Sequence, residues 1–279
     1  MSSILTCREF ALDLFGSELR IPSFQLGAGQ IAFLFGDSNS RISELMLCLG
    51  GLIDKQTLSA PAEKGRIVRS SISLPPHQLA KILLDGNPIY QMENRLRARS
   101  IGYVFDNPEL AIFGRTVEEE YLHSLAACGS SPDSIYVATR LFRYGLGDRL
   151  ERSTAVLSGG EMQRLNCACA LDRAPRLLMA DFTSSNLDDE FLKDFILWVS
   201  ELRQAGTAVI VAGIDQRYLA SLNYQAYEVH SGVLAEQPCN PSMIKDLVDQ
   251  RPSLCELLHP REHKDEYVLR VNELCRDKI

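Results

Sequence analysis

The sequence predicts an α/β fold, and three features of its hydrophobic pattern lead to this expectation. Short apolar segments at 31–35, 177–181 and 208–212 have the length and composition of buried strands. Segments 43–49 and 188–204 have helical patterns and follow the first two of these strands. Strands that alternate with helices in this way favour a sheet with helices packed against it.

The length and composition fit a globular protein. The 279 residues allow one large domain or two modest ones, which is enough for a substantial core. A formal net charge of -7 argues against a nucleic-acid partner, because phosphate neutralisation requires a basic face. The first residues lack a signal-peptide pattern, and no apolar run approaches the ~20 residues of a membrane span. We therefore expect a cytoplasmic protein that reaches a membrane only through a partner.

The eight cysteines form no CxxC pair. Cys167 and Cys169 are two positions apart on a predicted helix, so their side chains should point in different directions. This spacing argues against a metal site. We interpret the cysteines as small buried side chains of a protein in a reducing compartment.

The first long apolar strand, 31–35, is followed by the loop that begins at Gly36 and then by a predicted helix. Strand, loop and helix form the context of a phosphate-binding P-loop. Ser40 lies in this loop, and Ser43 occupies the position of the hydroxyl that binds Mg²⁺. Arg41 replaces the second glycine of the motif, and Ile42 replaces its lysine.

These replacements weaken the expected phosphate site. A lysine at the position of Ile42 would attract a phosphate by about 4 kcal/mol at ~4 Å and an effective dielectric of ~20. That energy is on the order of a thousandfold in affinity. Asp37 and Glu44 would add repulsion if they face the phosphates, and an arginine at 41 would crowd the loop. Weak nucleotide binding and a purely structural turn are the two interpretations of this loop.

The middle of the chain contains an irregular segment followed by further regular elements. Prolines, serines and alanines in 54–79 predict an inserted surface loop or hairpin. Segment 80–87 predicts a strand with an Asp-Gly turn, and 96–105 is expected to return to the core. Helical patterns run from 116 to 152.

A helix is predicted to begin just after Ser158. Ser158 can cap this helix and Glu161 can reach back to it, which makes a capping box. Gly159 and Gly160 lie between them, so no side chain blocks the approach of a ligand to the backbone. A helix N-terminus with unpaired N–H groups suits a phosphate. The alternative is an ordinary capped helix.

Four segments, in this order, resemble motifs of ABC-type ATPases. Segment 101–110 looks like the glutamine-loop segment of that family, and 157–164 (LSGGEMQR) looks like its signature motif. Segment 177–181 is similar to the Walker B strand, and 185–188 resembles the D-loop. Segment 113–120 is most like the ATPases of energy-coupling-factor transporters, which import vitamins and metal ions.

The resemblance spans roughly residues 20 to 235 and implies a P-loop NTPase core of ABC type. It implies an antiparallel β subdomain and an inserted helical subdomain at about 108–171 within a nucleotide-binding domain of residues 1–235. Residues 236–279 would then be a short C-terminal helical extension, which in the resembled ATPases helps the subunits to pair.

The resemblance also implies that this chain's own ATP site is degenerate. Phe182 occupies the position of the catalytic glutamate, and Asp106 that of the glutamine. Ile214 stands in place of the switch histidine. No catalytic residue of the family is intact, although Ser43 and Asp181 could still hold Mg²⁺ weakly.

The signature and D-loop are preserved, and in the resembled family two such domains pack head to tail. Each nucleotide then lies between the P-loop of one domain and the signature of the other. The residues that would serve a partner's ATP are Ser158, Gly159, Gly160, Glu161, Ser185 and Asp188. ATP and Mg²⁺ would be bound at the partner's site and weakly or not at all at this chain's own site.

The resemblance implies a heterodimer with a homologous, competent ATPase, docked with it on a polytopic membrane subunit at the inner face of the cell membrane. Two alternatives come from the same residues. One is a scaffold or regulatory protein with the ABC fold and no ATP turnover, which the segment 54–79 and Asp106 favour. The other is a homodimer with two weak sites that keep Mg²⁺ on Ser43 and Asp181.

Overall fold

The computed structural model describes most of the chain up to residue 237. The described ranges are 3–14, 17–36, 40–53, 57–60, 68–71, 77–183, 187–214, 216–219 and 222–237. Within them no helix is both long and apolar enough to cross a bilayer.

Strands and helices alternate through much of the described chain. The strands are β1 Ser3–Leu14, β2 Ser17–Gly27, β3 Ile31–Gly36, β4 Thr57–Ala60, β5 Val68–Ser71, β6 Ile82–Leu84, β7 Asn87–Pro88, β8 Ile101–Val104, β9 Leu177–Asp181, β10 Ala208–Ala212, β11 Tyr224–His230 and β12 Val233–Gln237. The helices are α1 Ile42–Leu49, α2 Asn94–Ser100, α3 Val117–Ala126, α4 Ser134–Phe142, α5 Gly159–Leu171 and α6 Asp189–Gln204.

One sheet carries the functional edge of the molecule. Among the described strands its order is β7-β6-β1-β2-β12-β11-β3-β10-β9-β8, with parallel pairing from β11 through β3, β10 and β9 to β8. The carboxyl ends of parallel strands meet at one edge, where α/β proteins bind their ligands. Gly36, Asp106, Asp181 and Gly213 therefore lie at or just beyond the same edge.

The antiparallel part of the sheet is built on a long hairpin. β1 pairs with β2 along most of their length, and β6 and β7 extend the sheet beyond β1. The inward side chains of this hairpin, among them Phe10, Ile21 and Leu26, are fully buried in one hydrophobic core together with α1. The antiparallel β part that the resemblance implies is therefore present.

A buried carboxylate joins the helices of the central part of the chain. Asp172 follows α5 and accepts hydrogen bonds from Tyr121 Oη (2.6 Å) and Tyr144 Oη (2.8 Å). Arg140 of α4 donates to both of its carboxylate oxygens. The burial of Tyr121 and the adjacent Asp172 charge raise the pKa of its phenol. This cluster fixes α3 and α4 against the C-terminal end of α5.

The structure corrects one expectation for the middle of the chain. Segment 96–105 was expected to return to the core, but its first half belongs to α2, which buries no side chain completely. Leu96 is 52% exposed, and only β8 is a core element. The three arginines of α2 keep that helix at the surface, and its two apolar residues, Leu96 and Ala98, do not have helical spacing.

The predicted insertion contains a hairpin, in which β4 pairs with β5 in antiparallel fashion. The remainder of 54–76 lies outside the described residues. Of the expected C-terminal extension, 236–279, only its first two residues are described, at the end of β12.

Candidate nucleotide site

The predicted capping box is present at the start of α5. Ser158 is the N-cap residue, and its Oγ accepts a hydrogen bond from the Glu161 N–H (3.3 Å). The Ser158 N–H donates in return to Glu161 Oε2 (2.7 Å). Since Ser158 Oγ is an acceptor in this bond, its O–H can donate to a phosphate oxygen. We call residues 158–160 the signature tip.

The two glycines of the signature tip are exposed and are not required by the chain's own packing. A Cβ built on Gly159 or Gly160 would meet no atom within 4 Å, and neither glycine has a positive φ. The packing of the isolated chain therefore does not require glycine at these positions. What the glycines provide is bare backbone N–H groups at a helix N-terminus, which is a suitable cradle for an anion.

Glu161 connects the signature tip to a neighbouring turn. Its Oε1 forms ion pairs with Arg149 and with Arg152, the latter at 3.5 Å from Nη1. The hydrogen bond from the Ser158 backbone lowers the pKa of Glu161, and the two guanidinium groups lower it further. Glu161 is therefore charged at neutral pH.

Gly36, which begins the chain's own P-loop, is required by packing, unlike the two glycines of the signature tip. A Cβ on Gly36 would lie 2.3 Å from the Val229 carbonyl oxygen and 2.6 Å from the Ser40 Cβ. Real Cβ atoms do not approach so closely, and Ser40 itself is buried. The fold alone therefore accounts for Gly36.

The side chains that replace the P-loop consensus residues interact with other parts of the chain. Arg41 adopts a left-handed conformation (φ 60°, ψ 38°), as a glycine would, and its Nε lies 3.4 Å from Glu44 Oε1. Glu44 therefore has a cationic neighbour. Ile42 is only 6% exposed and belongs to the hydrophobic core, where an unpaired lysine charge would be costly.

The two predicted Mg²⁺ ligands, Ser43 and Asp181, lie close together, and the hydroxyl of Thr183 links them. Thr183 Oγ1 donates to Asp181 Oδ1 (2.9 Å) and lies 2.9 Å from Ser43 Oγ. Burial raises the pKa of Asp181, with a further contribution from the Asp106 carboxylate, while the Ser43 and Thr183 hydrogen bonds oppose the rise. Oxygen donors suited to Mg²⁺ are thus present at this place.

Phe182 does not face the nucleotide edge. It is fully buried, and its ring packs edge to face against Phe195 (centroids 5.0 Å apart) and Phe191 (5.9 Å) of α6. Its backbone N–H donates to the Ala212 carbonyl, which fixes this orientation. Ile214, in place of the switch histidine, is also buried, in the same hydrophobic cluster.

A cleft of about 350 Å³ lies beside the signature tip. It separates the segment 106–109, the first turn of α5 and the segment 187–191. Asp106, Gly159, Gly160 and Asp188 line it together, so the glutamine-loop position, the signature and part of the D-loop share one surface.

Asp188 also has a structural role, because its Oδ1 accepts from the Phe191 N–H (2.6 Å) and caps α6. Ser185 and Asp37, which we named from the sequence, lie outside the described residues.

Thr183 and Arg149 are the site residues that sequence reasoning missed. Thr183 follows β9 by two positions, so a hydroxyl beside a strand-end carboxylate could have been noticed. Arg149 contacts Glu161 from twelve positions away across a turn, and no local pattern signals that contact.

The different roles of the glycines lead to a prediction for stability. Gly36→Ala should lower the free energy of unfolding by about 2–3 kcal/mol, because the added methyl overlaps backbone. Gly160→Ala should raise it by about 0.5–1 kcal/mol, because a helical glycine is replaced without a clash. Chemical denaturation of the two variants measures both changes, and a Gly160→Ala variant less stable than Gly36→Ala would contradict the geometry.

The fold and this edge define a class: a P-loop nucleotide-binding α/β protein with an inserted helical region. The family model described as ABC transporter matches residues 19–184. Since that match covers more than half of the chain, this protein belongs to the ABC transporter family as an ATPase-domain subunit.

Relatives and solved structures agree with this assignment. The cell division ATP-binding protein FtsE of Escherichia coli K12 is 29% identical over 217 residues, 76% of this chain and 87% of the relative. The lipoprotein-releasing system ATP-binding protein LolD of Alcanivorax borkumensis is 33% identical over 219 residues, 77% and 87% of the two chains.

Similar folds are found in the solved structure of cbiO1 from Clostridium perfringens and in a nucleotide-free ATP-binding cassette. The cbiO1 structure has 18% identity, a TM-score of 0.61 and coverage of 97% of this chain and 100% of that chain. The cassette has 18% identity, a TM-score of 0.63 and coverage of 91% and 98%.

Proposed function

We propose that this chain is a catalytically degenerate ABC ATPase subunit that pairs with a competent homologue and supplies its signature tip to the partner's ATP. Together the two subunits power a membrane transporter of the energy-coupling-factor type. ATP and Mg²⁺ are held by the partner's P-loop, and Ser158, Gly159 and Gly160 of this chain complete that site.

The observation that carries this proposal is the contrast between the two glycine sites. The glycine retained in the chain's own loop, Gly36, has a steric reason within the fold. Gly159 and Gly160 have none, and they stand exposed at the N-terminus of α5. Residues that the isolated fold does not need are explained by a ligand that approaches from outside. ATP supplies the phosphate oxygens that such backbone N–H groups bind.

The residues at the positions of the chain's own ATP site support the same proposal. Ile42 cannot supply the charge that a lysine carries to the β and γ phosphates. Phe182 cannot accept a proton, and a general base contributes typically ~10²–10⁴ in rate. Its ring is also fully buried in the core.

The membrane partner is inferred from family and relatives. LolD is named as the ATP-binding protein of a lipoprotein-releasing system, and cbiO1 is described as part of the ABC transporter complex cbiONQ. The segment 113–120 supports the energy-coupling-factor type. We propose a peripheral location at the inner face of the membrane, with 1–235 as the nucleotide-binding domain and the tail from 236 as a pairing extension.

A regulator without transport is the second candidate. One relative, FtsE, is named for cell division, and Asp106 replaces the glutamine that couples the family's ATPases to their membrane subunits. A tagged chain purified from its host membranes distinguishes the two. Co-purification of a second ATPase with a polytopic membrane protein supports transport, whereas soluble partners alone support regulation.

Hydrolysis by the chain alone tests the degenerate site. We expect the purified chain to turn over ATP at no more than about one-thousandth of the rate of the complex isolated with its partners, because the loss of the lysine alone is worth about that factor. Comparable rates for the isolated chain and the complex would refute the proposal.

A further inference from the structure

We propose that Arg149 is a positioning residue for the signature tip, and that it acts by neutralising Glu161 where this chain meets the partner's triphosphate. The inference rests on the proposed function and adds a residue outside the signature motif. The observation that supports it is an ion pair between Arg149, in the turn after α4, and Glu161, the third residue of α5.

The signature tip has little packing of its own. Ser158, Gly159 and Gly160 are exposed, and the side chains that bury α5 begin at Gln163. What holds the tip is Glu161, through both bonds of the capping box. Because the Glu161 carboxylate accepts the Ser158 N–H, the position of the Ser158 backbone depends on where that carboxylate is held.

The turn that carries Arg149 is itself anchored. The Arg149 N–H donates to the Leu146 carbonyl (3.0 Å), and the Arg152 N–H donates to the Arg149 carbonyl (2.9 Å). The Val117 N–H, at the start of α3, donates to the Arg152 carbonyl (3.1 Å). An ion pair from this turn thus ties the signature tip to the helical part of the chain.

The charges at the tip require such a pair. A carboxylate at residue 161 stands beside the place where a triphosphate would arrive, and two like charges at short range repel. Arg149 and Arg152 contribute two positive charges against the carboxylates of Glu161 and of Asp148, which lies 3.9 Å from Arg149 Nε, so the cluster is formally neutral. Glu161 is only 15% exposed, whereas Arg152 is 43% exposed and its Nη1 lies 3.5 Å from the carboxylate. Arg149, 33% exposed, makes the shorter contact.

The test is a double-mutant cycle in the complex purified from the host through a tag on this chain, with ATP as the probe. Arg149→Gln should raise the KM for ATP by about tenfold, which corresponds to about 1.4 kcal/mol. Glu161→Gln, which removes the charge and can keep the bond from the Ser158 backbone, should raise it by about threefold at most. The double variant should resemble Glu161→Gln, because no carboxylate then remains to be neutralised.

Two further variants separate positioning from general stability. Arg149→Lys keeps the charge and should recover most of the loss. Arg176→Gln breaks an exposed bidentate pair with Asp85 at the opposite end of α5 and should leave KM unchanged. Additive effects in the cycle, or an Arg149→Gln variant with KM within twofold of wild type, would overturn the inference.

Gly159→Asp in the same complex separates a failure of the proposed function from a failure of the role of Arg149. If this variant loses turnover while Arg149→Gln is neutral, the proposed function stands and the role of Arg149 falls. If Gly159→Asp is itself neutral, the proposed function falls and the role of Arg149 falls with it.

Discussion

Replacing Gly159 by aspartate should reduce ATP turnover by the native complex about a thousandfold. The new carboxylate would point into the space where the Cβ of residue 159 meets no atom of this chain. At ~4 Å from a phosphate and an effective dielectric of ~20, the repulsion is about 4 kcal/mol. That is on the order of a thousandfold in binding of the transition state. Steady-state hydrolysis by the tagged, co-purified complex measures the loss.

This loss should occur without unfolding. An acidic side chain in the first turn of a helix is favourable by about 0.3–1 kcal/mol, so the melting temperature of the Gly159→Asp chain should not fall. Ser134→Asp places the same side chain at the first residue of α4 and serves as the control, with turnover unchanged. Turnover of Gly159→Asp within threefold of wild type would remove the signature tip from the active complex.

Restoring a glutamate at residue 182 should destabilise the chain and should not restore hydrolysis. Phe182 is fully buried between two aromatic rings of α6, and loss of such a side chain costs about 3–5 kcal/mol. A carboxylate in that position would lack the hydrogen bonds it needs, which adds to the cost. Against a total stability of about 5–15 kcal/mol, Phe182→Glu should leave a large fraction of the chain unfolded at 37 °C.

The pH dependence of this variant has a definite sign. Burial raises the pKa of a carboxyl group, so the folded variant would bind its proton more tightly than the unfolded chain. The difference in free energy of unfolding between Phe182→Glu and wild type should therefore shrink as pH falls and should be largest above neutrality. Phe182→Leu, which keeps an apolar side chain, is the control and should lose less of the free energy of unfolding. A stable Phe182→Glu chain that hydrolyses ATP on its own would show that the site had been one substitution from competence.

The sequence predicts the frame of the protein well, because each core strand of the parallel sheet is a short run of apolar residues. β3, β9 and β10 appear where 31–35, 177–181 and 208–212 predict them. The helices predicted after the first two begin within one residue of the expected positions, at Ile42 and Asp189. The capping box is also a local pattern, since Ser158 and Glu161 are three positions apart, and it is confirmed.

What the sequence could not predict is the direction in which a replacement side chain points. A motif alignment places Ile42 and Phe182 at the positions of a lysine and a glutamate, which suggests an emptied pocket. In the structure both side chains belong to the hydrophobic core. Tertiary contacts such as Arg149 with Glu161 likewise depend on how a turn folds back, which no periodicity records.

A structure of the native complex with Mg²⁺ and a non-hydrolysable ATP analogue tests the central claim most directly. We predict one triphosphate between the P-loop of a second ATPase and Ser158–Gly160 of this chain, within hydrogen-bonding distance of the Ser158 hydroxyl. A signature tip that faces solvent or lipid, with no nucleotide of another subunit opposite it, would contradict the account.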